Sequence, residues 1–345
     1  MTKMAAFKRV LISCSVACVS IFPLQAESLP DFPIKPRARV IVVNDFGGDP
    51  DGLFQIAHHL LSPSVEVRGI IASKHYDKGF YKYPGTPEFS LETLQGLLEV
   101  MQWQDKVPVF LGAAKELEPL DTPQETEATR FIVAEAMRGE VNTPLYIACG
   151  AGLTDLASAY LLEPQIAERV RLVWIGGLEY RTLTAPPPKR KQPEYNTGID
   201  LKAAQVIFNQ SEMPIWQIPR DAYRQTLVSM AELEVRLDTD GPLGRYLYER
   251  MHALLQMAHG KLGEAYAMGD NPLVLLTALQ SSWSPDPSSS EYFQRPAPLL
   301  DEEGRYLKRR DSREIRVYLK LDTRLMFEDM FAKIKHFDAE AYGRP

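Results

Sequence analysis

Asp45, Asp49 and Asp51 stand in the run Asn44-Asp45-Phe46-Gly47-Gly48-Asp49-Pro50-Asp51-Gly52, close enough for each carboxylate to feel the others. Such groups repel one another unless solvent or a cation compensates them. A hard divalent ion such as calcium, which takes oxygen ligands, is the natural partner. A carboxylate held there could also accept a proton from a reacting water. Asp, Gly and Pro are equally good turn formers, so the loop by itself leaves both readings open.

The elements that must position the loop flank it. Residues 40–43 (Val-Ile-Val-Val) form the continuous β-branched run expected of a strand covered on both faces. Gly47 and Gly48 permit backbone conformations closed to other residues, and Pro50 suits the first turn of a helix. Leu53, Ile56, Ala57, Leu60 and Leu61 then recur at helical spacing, giving one face to press on a sheet. The carboxylates therefore fall at the carboxyl end of a first parallel strand, where open α/β sheets bind ligands.

Strand and helix patterns alternate along the rest of the chain. Strands are expected over residues 65–72, 107–110, 145–149, 172–175, 214–218 and 315–319. Helices are expected over 90–101, 125–137, 153–162, 201–209 and 324–334. Residues 222–256 read as mainly helical with a break at Asp240-Gly241-Pro242, and 181–191 and 281–290 read as long loops. The alternation predicts an α/β fold, an open and mostly parallel sheet with helices on both faces. No repeat or linker divides the chain, so one domain over residues 27–345 is expected.

Residues 1–26 differ from the rest. Lys3, Lys8 and Arg9 precede an apolar stretch ending near Leu24, and Leu-Gln-Ala precedes Glu27. This is the pattern of a cleavable secretory signal with cleavage near Ala26, implying a periplasmic or secreted protein. A lasting membrane anchor and a lipoprotein site at Cys14 are the alternatives, but the stretch is short and its flanks are wrong for a stable span. Removing the segment takes away three positive charges and no negative one, moving the formal charge from −6 to −9. That acidity, without a basic stripe, argues against a nucleic-acid partner. Only Cys149 of the three cysteines then remains, so no internal disulfide framework is possible, and its apolar strand marks it as inert core.

Three further polar clusters follow or interrupt apolar runs: Gly150-Ala151-Gly152-Leu153-Thr154-Asp155, Glu194-Tyr195-Asn196-Thr197-Gly198-Ile199-Asp200, and Met268-Gly269-Asp270-Asn271-Pro272-Leu273. Each alone is an acceptable turn or helix cap. In order, and together with the aspartate loop, they resemble the inosine-uridine-preferring nucleoside hydrolase family. The resemblance covers most of the chain beyond residue 26 and points to a divergent, signal-bearing branch.

The resemblance implies that family's fold and a calcium-dependent hydrolysis of N-ribosyl bonds, nucleoside and water giving ribose and base. By it, Asp45 is the catalytic base and a calcium ligand, Asp270 a second ligand, and a carbonyl near Cys149 or Gly150 a third. Asp49 is near enough in the loop to reach the ion. Asp51 contacts the ribose hydroxyls, and Glu194 and Asn196 hold the rest of the sugar. The expected partner is a small-molecule nucleoside or glycoside, and the family commonly forms homo-oligomers.

Departures from the family pattern are specific. Gly52 stands where the family has a bidentate calcium aspartate, so an aspartate restored there is expected to tighten calcium. Gly269 replaces a histidine that helps protonate the leaving base, and Val43 replaces the motif's opening aspartate. His75, on a loop after the second strand, is a candidate substitute acid, while His58 and His59 read as packing or surface residues. Two other readings follow from these gaps. One is a binding protein that captures a nucleoside or sugar without turnover. The other is a hydrolase of another glycoside that uses Asp45 and Glu194 without metal.

Overall fold

The apolar run at the front of the chain is β1 (Ala38–Asn44), buried along its whole length. Its residues alternate between two cores. Val40 and Val42 pack on one side of the sheet with Leu53, Ile56 and Ala57, while Ile41 and Val43 pack on the other with Ile132, Leu156 and Ala157. A strand covered on both faces favours apolar side chains along its middle, which explains the unbroken β-branched run over 40–43. The structure is a computed structural model that describes residues 34–342 apart from 188–190, 238–240, 260 and 282–288. The signal segment expected over residues 1–26 lies outside the described residues.

After β1 come α1 (Asp51–Leu60), β2 (Val65–Ala72), α2 (Pro87–Val100) and β3 (Val109–Leu111). They are followed by α3 (Glu127–Ala136), β4 (Leu145–Cys149), α4 (Thr154–Leu162) and β5 (Val170–Ile175). The chain continues through α5 (Tyr195–Ile199), α6 (Leu201–Gln205), β6 (Ile215–Ile218) and α7 (Arg220–Tyr223). Next are β7 (Leu227–Ser229), α8 (Met230–Arg236), α9 (Pro242–Met257), β8 (Ala265–Ala267) and α10 (Pro272–Thr277). It closes with β9 (Glu291–Pro296), β10 (Leu299–Leu300), β11 (Tyr306–Leu307), β12 (Glu314–Lys320) and α11 (Thr323–Tyr342).

Eight strands form the main sheet in the order β3-β2-β1-β4-β5-β6-β12-β9. All neighbours are parallel except β12 and β9, which run antiparallel at one edge. The expected α/β architecture is present, an open and mostly parallel sheet with helices on both faces. The strand order reverses between β1 and β4. In such sheets the loops after the two central strands diverge to opposite faces and leave a crevice at their carboxyl ends. The aspartate loop follows β1 and Gly150 follows β4, so both open onto that crevice.

Three segments differ from expectation. The stretch expected as mainly helical over 222–256 contains β7, which pairs with β8 in a separate two-stranded ribbon, Leu227 opposite Ala267. The helix expected over 201–209 is α6 followed by a turn of wider π helix over Val206–Gln210. Edge strand β9 was not expected at all. Its residues alternate exposed and half-buried, so it lacks the apolar run that marks an inner strand. Parts of the two expected long loops, residues 188–190 and 282–288, lie outside the described residues.

Candidate active site

At the end of β1 the chain turns sharply, with the Gly48 N–H donating to the Asp45 carbonyl at 2.8 Å. Neither Gly47 nor Gly48 adopts a left-handed conformation, contrary to the expectation that conformational freedom explains them. Gly47 answers to space instead, because a Cβ there would stand 2.8 Å from the Phe89 ring and 3.1 Å from the Ser90 nitrogen of α2. Asp51 opens α1, and the partial positive charge of a helix start favours a carboxylate there. Asp45 and Asp51 are buried, and Asp49 is half-buried with its Oδ2 accepting a 2.6 Å hydrogen bond from the Tyr266 hydroxyl on β8.

Asp270 faces this loop from the turn before α10. Its backbone N–H donates to Asp51 Oδ2 at 3.1 Å, and its own Oδ2 accepts from the Asn44 amide at 2.9 Å. The two glycines flanking Asn44 make that contact possible. A Cβ on Gly52 would stand 3.1 Å from Asn44 Nδ2, and one on Gly150 would stand 2.7 Å from it and 2.8 Å from Asp270 Cγ. An aspartate restored at 52 therefore meets a filled space. Tighter calcium binding there requires the Asn44 amide to shift.

Glu194 and Asn196 form the opposite wall. Glu194 Oε2 accepts from the N–H groups of Gly177 (2.7 Å) and Thr197 (3.1 Å), and Oε1 accepts from the Tyr223 hydroxyl (2.8 Å). The Asn196 amide donates to the carbonyls of Gly150 (2.9 Å) and Ile175 (2.8 Å), tying β4 to β5. The wall joins the carboxylates at Gly150 and at Gly269, where a Cβ would stand 3.3 Å from Asp51 Oδ2 and 3.5 Å from the Tyr223 ring. All six residues expected at the site, Asp45, Asp49, Asp51, Glu194, Asn196 and Asp270, thus border one crevice.

Electrostatics separates the two walls. Burial raises the proton affinity of Asp45, Asp51 and Asp270 well above the usual carboxylate range, and repulsion among the aspartates adds to it. Asp51 Oδ1 is buried without a hydrogen-bond partner. Hard oxygen donors, mutual repulsion and an orphaned carboxylate oxygen are the chemistry of a site for a hard cation. Among the described residues no three His, Cys, Asp or Glu side chains converge as a ready-made metal cage. The carboxylates are of the kind a hard cation takes but do not converge on one point, and two of their oxygens are tied to Asn44 and Tyr266.

A sequence model of the family described as inosine-uridine preferring nucleoside hydrolase matches residues 40–325. The chain belongs to that family. It is 31% identical over 160 residues to the inosine-uridine preferring nucleoside hydrolase of Leishmania major, covering 44% of this chain and 48% of that protein. The corresponding protein of Crithidia fasciculata is 32% identical over 130 residues, covering 37% of this chain and 38% of its own length. The chain thus matches about half or less of the length of these curated relatives. In fold it resembles the purine-preferring ribonucleoside hydrolase from Gardnerella vaginalis, with a TM-score of 0.70 at 16% identity over 87% of this chain and 99% of that one.

Within this nucleoside hydrolase fold, sequence reasoning missed the aromatic residues around the carboxylates. Tyr195 is 40% exposed, lies edge-on to Tyr76 with ring centroids 4.8 Å apart, and feels the charges of Asp45, Asp49 and Asp51. Tyr223 and Tyr266 hold Glu194 and Asp49. Tyr195 lies inside a matched motif and Tyr266 two residues before another, on the unexpected strand β8, while Tyr223 on α7 has no signal in the sequence. His75 is not a solvent-exposed loop residue. It is buried beside the backbone of Gly47 and Pro84, and burial holds its proton affinity below the ordinary histidine value. His58 and His59 are packing residues: His58 Nε2 meets Asp329 Oδ2 at 2.7 Å, and His59 reaches Gln55 and Thr277. The Cys149 thiol is buried and pushed far above its usual range by burial, which leaves it inert.

Proposed function

We propose that this protein hydrolyses the N-glycosidic bond of ribonucleosides, water and nucleoside giving ribose and free base. The observation that carries the reading is the cluster of buried Asp45, Asp51 and Asp270 with half-buried Asp49 at the β1/β4 crevice, uncompensated by any cationic side chain among its hydrogen-bond partners. Asp45 is the base. A carboxylate buried at the crevice and facing a reacting water can accept its proton. Asp45, Asp49 and Asp270 would hold calcium, and the bound ion would supply a water of lowered pKa and an anchor for vicinal hydroxyls.

The unpartnered Asp51 Oδ1 accepts from the ribose hydroxyls. The carboxylates together stabilise the positive charge that develops on the sugar as the bond to the base breaks. Glu194 and Asn196 hold the sugar side of the crevice in shape, and Tyr195 offers its exposed ring to the base. The leader over residues 1–26 directs export to the periplasm or medium, with the mature chain starting near Glu27. Sequencing the amino terminus of the exported protein tests that step.

The test of the activity is sugar release from a panel of nucleosides with calcium and with chelator. Calcium-dependent release is expected. A second reading is favoured by one observation: Glu194 and Asn196 direct their polar atoms at the protein itself. A crevice built that way can retain a nucleoside without turning it over, and folded protein that binds nucleosides but releases no sugar would support that reading.

A further inference from the structure

A column of buried polar side chains runs from the carboxylates into the core along α1, and no step above uses it. Asn44 Oδ1 accepts from the Asp45 backbone N–H at 2.8 Å, so the other atom of its amide is the NH2. That NH2 donates to Asp270 Oδ2 at 2.9 Å and to Gln55 Oε1 at 3.1 Å. Gln55 then presents its own NH2 to His59 Nδ1. At the far end the Thr277 hydroxyl donates to the Leu273 carbonyl at 2.6 Å and so accepts from His59 Nε2 at 2.8 Å. Two backbone groups thereby fix the direction of every bond between them, leaving His59 neutral with its proton on Nε2.

Asn44, Gln55 and His59 are fully buried, on or beside a helix face whose other core residues are Leu53, Phe54, Ile56 and Ala57. Buried polar groups cost stability unless every one is paired, and here the pairing is complete through the whole column. Burial also keeps His59 well below its ordinary pKa, in accord with the neutral ring. Asn44 occupies the space beside Gly52, 3.1 Å from where a Cβ would stand.

We propose that Asn44, Gln55 and His59 form a positioning relay that takes the place of a side chain at Gly52 and holds the Asp270 carboxylate in one orientation. His59 does not touch Asp270. It fixes Gln55, Gln55 fixes the Asn44 amide, and the amide holds Oδ2 of Asp270 so that Oδ1 is presented to the crevice. The relay deepens the hydrolase reading and rests on it for its activity readout only.

The first test is 15N NMR of the histidines in the whole protein. His59 is expected as the neutral Nε2–H tautomer from about pH 6 to about pH 8. The Nδ1–H tautomer or a protonated ring would overturn the relay without any variant. The second test measures kcat, KM and the affinity for calcium alone, by calorimetry, in Gln55→Leu and His59→Leu. Each is expected to lower kcat and calcium affinity about tenfold with KM within about twofold, and the double variant to be no worse than Gln55→Leu. Thr277→Ser keeps the hydroxyl and is expected to keep parental values. Parental kcat and calcium affinity in both folded single variants, or losses that add in the double variant, would overturn the proposal. A parent that releases no sugar would remove the hydrolase reading, while the His59 tautomer and calcium affinities would still decide the relay.

Discussion

The two walls of the crevice are both built of buried acids and amides, yet they are in opposite states. On the Glu194 side the carboxylate and the amide NH2 have protein partners: two backbone N–H groups and a tyrosine hydroxyl on the carboxylate, two carbonyls on the Asn196 NH2. On the Asp45 side, carboxylates face carboxylates and Asp51 Oδ1 has no partner. A satisfied wall is scaffold. An unsatisfied one, held by the fold against its own repulsion, is where a ligand or cation can act, since binding there removes an existing penalty.

That contrast can be broken by exchanging the effects of substitutions on the two walls. Asp45→Ala should lower kcat by about 10²- to 10⁴-fold with the melting temperature preserved, because a base is lost and no buried partner is stranded. Parental turnover would remove Asp45 as the base. Glu194→Ala should act mainly on stability, losing about 2 to 3 kcal/mol in urea unfolding, because it strands the Gly177 and Thr197 N–H groups and the Tyr223 hydroxyl. A variant as stable as the parent would contradict the scaffold role.

A smaller effect is expected within the carboxylate wall. Gly52→Asp forces its side chain against an amide held by three hydrogen bonds, and should destabilise the fold by about 1 to 3 kcal/mol without tightening calcium. Tighter calcium in that variant would mean that Asn44 yields.

The smallest effect is a pH dependence. Asp45, Asp51 and Asp270 are raised above 3.8 in the folded chain, so without calcium the fold binds more protons than the unfolded chain. Their contribution is most favourable below 3.8 and declines as pH rises from there through their raised folded values. Calcium-free Asp270→Asn should therefore gain on the parent as pH rises, by about 1 kcal/mol at neutrality. An unfolding difference independent of pH would contradict the raised affinities.

The sequence carried the inner architecture because burial on two faces imposes an unbroken apolar run, as in residues 40–43 of β1 and in β4. It did not carry β9, whose exposed and half-buried residues leave no such run, or the β7–β8 ribbon, whose partners Leu227 and Ala267 are 40 residues apart and meet through tertiary packing. Asp45, Asp49 and Asp51 stood out because three carboxylates in one loop announce chemistry, whereas Asp270, Glu194 and Asn196 stood out only through the ordered resemblance to the family. Asn44, Gln55 and Tyr266 did not, because an amide or a phenol gains its role only from the atoms the fold sets beside it. The burial of His75 was equally hidden, since nothing in Ser73-Lys74-His75 signals that the loop folds inward.

The most direct measurement restores calcium, in steps, to mature protein first stripped by chelator, while ribose release from a nucleoside is followed. The account predicts that release stops on stripping, returns as calcium is added back, and fails to return in Asp270→Asn. Release that continues through chelation would contradict the account and transfer the chemistry from the ion to the carboxylates alone.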